Sequence, residues 1–280
     1  MPDERKPEEE ESMHIAALHL YPLKGAAGIS VREWRIGALG LEADRRWMLV
    51  GREGRFLSQR QFPGMALLQP GIQDGLLQMD APGRATLHLP LHPEGGEAAE
   101  VEIWEDRVGA IAPDPEADRW FSDVLETPCR AVFLPDQARR PVDPEYAAGH
   151  LVSFADGFPV LVATTASLEE LNRRLPPSLT PIPMTRFRPN LVVGGVPGAH
   201  AEDGWRRLRS GDVEIRLVKP CARCAVTTVD PATGRFAGPE PLRALADYRQ
   251  REGKVFFGEN GVVERGGTLR VGAPVRAESW

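Results

Sequence analysis

The amino-acid sequence predicts a mainly β protein with a few helices. Its apolar residues fall into short segments that alternate with polar residues or are rich in β-branched side chains. The chain's 28 glycines and 26 prolines interrupt these segments at short intervals. Only three longer segments have the spacing of an amphipathic helix. Short strands with such regular interruptions are typical of barrels and sandwiches.

The first predicted strand covers residues 14–21, where apolar and polar residues alternate until Pro22 ends the pattern. Residues 46–50 and 55–59 flank Arg52-Glu53-Gly54, which is a hairpin signal because glycine readily adopts a positive φ. The other predicted strands are 85–89, 100–104, 131–134, 160–163, 191–193, 213–218 and 268–271.

Three helices are predicted between these strands. Residues 115–126 place their apolar side chains on one face, and Pro115 is suited to the first helical position. Ser167 and Glu170 form a capping-box pattern that predicts a second helix start. Residues 239–248 carry a third apolar face.

Charge and proline content predict the domain organisation. Residues 1–12 contain six acids and two bases, which predicts a disordered acidic tail. A first domain is expected over 13–135 and a second over 151–278. The linker 136–150 between them is polar and proline-containing.

Composition also excludes several classes of protein. No apolar run is long enough to span a bilayer, and the charged N-terminus does not resemble a signal peptide, so a cytoplasmic protein without a membrane segment is expected. The net charge is −6, and the basic residues do not interleave with aromatic residues, so no nucleic-acid partner is expected. Three cysteines do not suggest a disulfide framework.

The segment KPCARCAVTTVDPATG, residues 219–234, carries the strongest chemical signal. Cys221 and Cys224 lie three positions apart near Lys219 and Arg223, and neighbouring cations favour the reactive thiolate. A metal-cofactor ligand, a redox pair and two small buried side chains all fit this pattern. A complete zinc site is disfavoured because no second pair of ligands has suitable spacing. Residues 225–229 are expected to continue as a strand after Cys224.

Several other segments could bind an anion, although each also has a plain structural explanation. Arg186 and Arg188 would lie on the same side of an extended strand and grip an oxyanion together, or form a solvated edge. Lys24 precedes the glycine-containing loop that starts at Gly25, which suits a phosphate or an ordinary turn. Asp156 in the segment FADGFP could accept hydrogen bonds from a heterocycle or close a turn.

Taken in order, these segments resemble the MOSC family. The motifs are LYPLKG, DRRWML, FADGFPVL with ASLEEL, RFRPNLVV, the 219–234 segment, FFGEN and GTLRVGAPV. The resemblance covers nearly all of residues 13–277 and is closest to the amidoxime-reducing branch. It implies an N-terminal MOSC β-barrel domain, a MOSC β-barrel domain and a cofactor cleft between them.

In this family a molybdenum–molybdopterin cofactor (Moco) is bound, and the resemblance assigns its metal ligand and catalytic cysteine to Cys224. Thiolate is a soft ligand that molybdenum accepts. Cys221 is expected to pack beside it, with Lys219 and Arg223 as the electrostatic surroundings of Cys224. The implied cofactor-binding positions are Lys24, Gly25, Arg45, Asp156, Gly157, Phe158, Arg188, Asn190, Arg223, Cys224 and Asn260.

The implied activity is reduction of a small N-hydroxylated molecule, such as an amidoxime, a hydroxylamine or an N-oxide. Electrons would come from a separate donor, such as a ferredoxin, a cytochrome b5-like protein or a flavin reductase, since the chain has no iron–sulfur motif.

Two alternatives remain open. The protein could be a sulfur carrier or sulfurtransferase with a persulfide on Cys224, because MOSC domains also end the cofactor sulfurases. Those proteins carry a pyridoxal-phosphate desulfurase domain, for which this chain has no room, so a partner desulfurase would be needed. It could also store the cofactor without turnover.

Overall fold

The structure is a computed structural model that describes residues 12–280. Strands dominate these residues, so the prediction of a mainly β protein with a few helices is confirmed. The predicted acidic tail lies almost wholly outside the described residues.

The first half of the chain forms eleven strands and one long helix, α1 (Pro115–Leu125). A short 3-10 helix covers Pro63–Leu67. The strands are β1 (His14–Leu20), β2 (Ile29–Val31), β3 (Glu33–Gly37), β4 (Gly40–Leu41), β5 (Trp47–Val50), β6 (Gln69–Gln73), β7 (Leu76–Asp80), β8 (Leu87–Pro90), β9 (Glu97–Ile103), β10 (Asp106–Ala112) and β11 (Arg130–Phe133).

The second half forms ten strands and three helices, α2 (Pro144–Ala147), α3 (Thr165–Arg174) and α4 (Leu242–Arg249). Its 3-10 helices cover Met184–Arg186, Ala201–Gly204 and Ala225–Thr228. The strands are β12 (Val160–Thr164), β13 (Leu191–Gly194), β14 (Trp205–Ser210), β15 (Val213–Ala222), β16 (Val229–Asp230), β17 (Arg235–Phe236), β18 (Gln250–Arg251), β19 (Lys254–Arg265), β20 (Gly267–Arg270) and β21 (Arg276–Ser279).

The largest sheet joins the two ends of the chain. Its order is β2-β1-β13-β12-β19-β15-β14-β21, with β18 paired to β19. The edge strands β2 and β21 do not pair with each other, so this sheet is open and does not close into a barrel. Strand β1 runs antiparallel to β13, which brings the start of the chain into the sheet of the predicted second domain. The boundary at 136–150 stays a prediction.

The part of the chain between β4 and α2 forms two smaller sheets. One has the order β5-β11-β10-β9 and the other β6-β7-β8. Helix α1 packs against β11 and buries Ala117 and Phe121 in the same core as Trp47 and Phe133. Asp114 caps this helix by accepting a hydrogen bond from the Glu116 N–H, and Pro115 occupies its first turn as the sequence predicts.

Two local predictions are wrong, and a third holds only in part. Helix α3 is capped by Thr164, whose hydroxyl accepts from the Ser167 N–H, because the Ser167 side chain is engaged elsewhere in the interior. Residues 225–228 form a 3-10 helix rather than a strand, since the Thr227 N–H turns back to the Cys224 carbonyl. In the predicted hairpin, β5 is a strand and pairs with the second arm through the Val50–Phe56 bridge and the hydrogen bond from the Leu57 N–H to the Leu49 carbonyl, but the second arm is not itself a strand.

The conformation predicted around Arg188 is also wrong. Arg186 ends a 3-10 helix, and Arg188 has a left-handed backbone with φ of 57° instead of the extended one that Pro189 favours. The Arg188 carbonyl accepts a hydrogen bond from Arg45, which holds this unusual conformation. The two arginines therefore do not grip one ligand together. Arg186 binds the Thr227 and Glu240 carbonyls instead.

Candidate functional site

A cleft of about 600 Å³ is lined by both halves of the chain. Its walls come from the loop after β1, the segment after β5, the loop before β12, the loop before β13, the end of β15 and strand β19. All eleven residues that the resemblance assigns to cofactor binding line this cleft. Their roles in binding stay predictions, but their assembly in one place makes this cleft the candidate site.

Cys224 is held at the end of a strand by its backbone neighbours. Strand β15 pairs with β19 up to Ala222, and the Arg223 N–H continues the ladder to the Val255 carbonyl at 2.7 Å. The Cys224 carbonyl then accepts both the N–H and the hydroxyl of Thr227. The cysteine side chain is half-buried and faces the cleft. This arrangement presents one thiol at a fixed position.

Arg223 contacts Cys221 rather than Cys224. Its Nη1 lies 2.8 Å from the Cys221 Sγ, and its Nη2 donates to the Phe187 carbonyl. Burial raises the pKa of the Cys221 thiol, and the charge of Arg223 opposes that rise only in part. Arg223 was expected to form the electrostatic surroundings of Cys224. This expectation is corrected, because its guanidinium contacts the Cys221 thiol instead.

Two cleft arginines lie over the ring of Tyr21. The guanidinium carbons of Arg45 and Arg188 lie 4.3 and 4.4 Å from the ring centroid. Burial raises the pKa of Tyr21 to about 12, so its hydroxyl stays protonated and donates to the Pro189 carbonyl. Sequence reasoning missed Tyr21, although it lies three residues before Lys24.

Both arginines have left-handed backbones, with φ of 47° at Arg45 and 57° at Arg188. Such conformations are uncommon for residues other than glycine and cluster at functional sites. Burial, and then repulsion by Arg45, lower the pKa of Arg188 to about 10. Arg188 donates to the Ala26 carbonyl and has no carboxylate at salt-bridge distance among residues 12–280. Its charge is therefore available to an anion.

Lys24 and Asp156 form an ion pair in the cleft, with Nζ and Oδ1 2.5 Å apart. Lys24 also donates to the Phe154 carbonyl. The Asp156 side chain remains 74% accessible because it stands in the open cleft. Desolvation is the largest single influence and raises the pKa of Asp156, but the charge and hydrogen bond of Lys24, together with the charges of Arg45 and Arg60, leave that pKa below its ordinary value. The carboxylate is therefore ionised at neutral pH.

A buried arginine that sequence reasoning missed holds the loop of Asp156. Arg140 donates to the carbonyls of Ser153, Ala155 and Asp156. It also pairs with Asp106 at 2.8 Å. Arg140 lies in the predicted linker, where a sequence pattern gives no sign of such a role. The linker region thus shapes one wall of the cleft.

The remaining predicted residues either support the structure around the cleft or line its walls. Asn190 is buried, accepts from Arg45 and the Leu161 N–H, and donates to the His19 carbonyl, so its amide orients Arg45. Gly25 has φ of 88°, and a Cβ there would lie 2.7 Å from Met65 Cε, so glycine suits this turn. Gly157, Phe158 and Asn260 line the cleft.

The charges of the cleft are unequal. Eight cations face two acids, Asp156 and Glu252. Three of the cations have carboxylate partners, in Lys24–Asp156, Arg45–Asp44 and Arg251–Asp203. Within residues 12–280 the other five have no carboxylate at salt-bridge distance: Arg60, Arg188, Lys219, Arg223 and Lys254. This excess suits an anionic ligand.

The residues present fit a molybdenum–pterin cofactor. A phosphate needs cations that are not already neutralised, and Arg188 and Arg223 meet that need. The Arg223 Nε is buried and has no partner among the described residues. Both cleft cysteines are half-buried, but Arg223 contacts the thiol of Cys221, so Cys224 is the one that offers the soft ligand that molybdenum accepts.

Comparison with known proteins agrees with this chemistry. Residues 12–128 match the family described as MOSC N-terminal beta barrel domain, and residues 149–276 match the MOSC domain. Mitochondrial amidoxime-reducing component 1 of Mus musculus is 34% identical over 93% of this chain and 81% of its own length. The Homo sapiens protein of the same name is 32% identical over 93% of this chain and 82% of its own.

The solved YUAD protein from Bacillus subtilis aligns with 96% of this chain and 97% of its own, at 11% identity and a TM-score of 0.46. In residues 12–280 we find no helix with the length and hydropathy of a membrane span. The identities to the amidoxime-reducing components extend through both halves of the chain. This chain belongs to the MOSC family, as a relative of the amidoxime-reducing components.

Proposed function

We propose that this protein is a molybdenum-dependent reductase of N-hydroxylated compounds such as amidoximes. The observation that carries the proposal is the cleft itself, where the half-buried thiol of Cys224, free of the arginine contact that Cys221 makes, lies among cations that lack carboxylate partners. The amidoxime-reducing relatives supply the class of substrate. A cleft of about 600 Å³ has the size of an ordinary cofactor or substrate site.

Cys224 would hold the metal through its Sγ. Its carbonyl accepts hydrogen bonds from Thr227 at the start of the following 3-10 helix, which fixes the backbone from which the thiol projects. Arg188 and Arg223 would bind the cofactor's phosphate, and Tyr21 would keep Arg45 and Arg188 in place. Such preorganisation matters because ordering long side chains on binding costs affinity.

When bound, the cofactor supplies two-electron oxidation–reduction chemistry at its metal. The protein's part is to bind the substrate beside it and to limit access of water. Phe56 and Trp104 form one apolar wall of the cleft, with ring centroids 4.8 Å apart. Tyr146 and Phe158 form another. These walls favour a planar substrate over bulk water.

Reduction of an amidoxime to an amidine consumes a pair of electrons and a pair of protons and releases water. The electrons would come from a separate carrier protein, for which a ferredoxin, a cytochrome b5-like protein and a flavin reductase are the candidate classes. The N-hydroxylated nitrogen is reduced and the carrier is oxidised, so no further co-reactant is required.

The test compares three purified proteins: wild type, Cys224→Ala and Cys221→Ser. Metal content is measured by elemental analysis, pterin by fluorescence, and turnover by benzamidoxime reduction with reduced methyl viologen. Because loss of a residue that only supports a metal ligand typically costs 10–100-fold, we expect Cys224→Ala to lose about 100-fold or more of the activity. Cys221→Ser is the matched control and should retain most of it.

Equal benzamidoxime reduction by wild type and Cys224→Ala would refute the proposal. A cyanide-labile persulfide on Cys224 in protein without molybdenum would instead support the sulfurtransferase alternative. Bound cofactor without turnover would support a storage role.

A further inference from the structure

Two cations of the cleft are held by aromatic rings rather than by carboxylates. The Lys219 Nζ lies 3.9 Å from the centroid of the Tyr146 ring and 5.9 Å from that of Phe158. The Arg60 guanidinium carbon lies 4.7 Å from the centroid of Trp104. Lys219 comes from β15 and Arg60 from the segment after β5, so different parts of the chain supply them.

This type of contact leaves the charge unbalanced. The quadrupole of an aromatic ring attracts and orients a cation but does not neutralise it, whereas a carboxylate does. Among residues 12–280 neither Lys219 nor Arg60 has a carboxylate at salt-bridge distance. Asp156 is the cleft acid whose pKa is lowered in part by the charge of Arg60, but its carboxylate is already hydrogen-bonded to Lys24. Both cations thus keep an unsatisfied charge inside a concave site, where a field is focused.

The cofactor does not account for these two cations. In the proposed function Arg188 and Arg223 bind its phosphate, and Arg45 lies beside Arg188 on Tyr21. Lys219 and Arg60 contact other rings and belong to the aromatic walls of the cleft. An aromatic surface next to a free cation on each wall suits a flat molecule that carries its own negative charge.

We propose that Lys219 and Arg60 select anionic substrates: planar N-hydroxylated compounds that carry a carboxylate or a similar group. The inference rests on the proposed reductase function and concerns the substrate class of the same cleft. The ring of the substrate packs on Tyr146 or Trp104, and its anionic group pairs with Lys219 or Arg60. These residues determine specificity and take no part in the reduction.

The test compares benzamidoxime with 4-carboxybenzamidoxime, using cofactor-loaded protein and reduced methyl viologen. The two substrates share the reacting group and differ in charge. We expect kcat/KM to be about tenfold higher for the carboxylate, because one charge-assisted hydrogen bond contributes about this factor. This preference should decline as salt is added, since screening weakens accessible charge pairs.

Lys219→Gln and Arg60→Gln should each bring the ratio of the two kcat/KM values closer to one. Lys219→Arg and Arg60→Lys, which keep the charge, should restore the wild-type ratio. The matched control is Arg206→Gln. Arg206 also lies over an aromatic ring, that of Trp280 at 5.7 Å, but it does not line the cleft. Its replacement should leave the preference unchanged. Thermal melting and metal content are measured for every variant.

Three results would overturn the inference. The first is equal kcat/KM for both substrates in wild type. The second is a preference that survives both glutamine substitutions. The third is loss of molybdenum from Lys219→Gln, which would assign Lys219 to the cofactor instead. If neither substrate is reduced by protein that contains molybdenum and pterin, the proposed function itself fails, and that result is distinct from the other three.

Discussion

Strand β19 separates two polar regions that differ in charge balance. On one side cations lack carboxylate partners, and on the other side charged groups are paired or neutralised. Phe256 and Asn260 line the cleft, whereas Phe257 and Glu259 lie on the other side of the strand. That other side packs against α4 and the 3-10 helix Ala201–Gly204. We call the polar group there the rear cluster; it consists of Glu202, Asp203, Arg249 and Glu259.

Three side chains of the rear cluster are buried and Asp203 is half-buried, so the charges in it need partners. Asp203 is paired with Arg249 and Arg251 at 2.7 and 2.8 Å. Glu202 is 0% exposed, and the Ser167 hydroxyl lies 2.7 and 2.8 Å from its two carboxyl oxygens. Glu259 is 4% exposed, and its Oε1 has no partner among the described residues. Burial raises the pKa of Glu259 to about 8, so it is largely protonated at neutral pH.

The cleft has the opposite balance. Its excess cations remain charged because water or a ligand reaches them, and desolvation costs much less at an open site than in a dry interior. The comparison teaches that an unbalanced charge is a sign of function only where a ligand can reach it. In the rear cluster, unpaired charge is avoided instead: Glu202 accepts hydrogen bonds from hydroxyl groups, and Glu259 is largely protonated.

The largest expected effect concerns the cleft. Arg188→Ala should lower the pterin content of purified protein at least about tenfold, because hydrogen bonds to charged groups contribute about 1.5–3 kcal/mol. Arg186→Ala is the matched control. Arg186 binds only backbone carbonyls, so this change should lower stability and not the pterin bound per folded molecule. An equal pterin loss in both variants would contradict the distinction between them.

In the rear cluster, Ser167→Ala should lower the free energy of unfolding by about 1–3 kcal/mol, since buried groups lose hydrogen-bond partners. Glu202 would lose one of its two hydroxyl donors and keep Thr164, and the His200 N–H would lose its acceptor. Ser58→Ala is the control, because the Ser58 hydroxyl makes only an exposed contact with Gln61. Urea unfolding measures both variants. A Ser167 effect as small as that of Ser58 would argue against a dry rear cluster.

Glu259→Gln should stabilise the protein at pH 8 and change little at pH 5. A carboxyl whose folded pKa is raised binds its proton more tightly in the folded state, so its contribution is present below the ordinary pKa of 4.5 and is lost as pH rises toward about 8. Glutamine resembles the protonated form at every pH. Thermal melting from pH 5 to pH 8 should give curves that diverge, by about 2–4 °C for each kcal/mol. Parallel curves would show that Glu259 does not titrate in this range.

The smallest expected effect is that of Asp156→Asn, with the opposite dependence on pH. The pKa of Asp156 is lowered, so its pair with Lys24 stabilises the protein above the ordinary value of 3.8 and is lost as pH falls below it. Because the carboxylate is accessible, we expect a loss of only about 0.5–1 kcal/mol at pH 7. The difference should shrink in high salt, begin to decline below pH 3.8 and be lost only as pH falls through the lowered folded pKa of Asp156. A salt-independent loss would indicate a packing effect instead.

Much of this protein could be predicted from local sequence. The interruptions by glycine and proline predicted short strands, and the periodicity of residues 115–126 predicted α1. The ordered motifs identified the residues that meet in one cleft, from Lys24 to Asn260. Predictions failed where a distant contact overrides a local preference. The Arg45 guanidinium holds Arg188 in a conformation that Pro189 disfavours, and Ser167 binds Glu202 instead of capping α3.

The sequence by itself determined the mainly β class, the family and the chemistry of the cysteine segment, because these depend on residue types and short spacings. Only the tertiary structure decided which charges remain free. Arg223 turned to Cys221, Arg140 reached the loop of Asp156, and Lys219 and Arg60 met aromatic rings. The physical reason is that the energy of a charge depends on its partners and on water, and the fold brings those partners together from far along the chain.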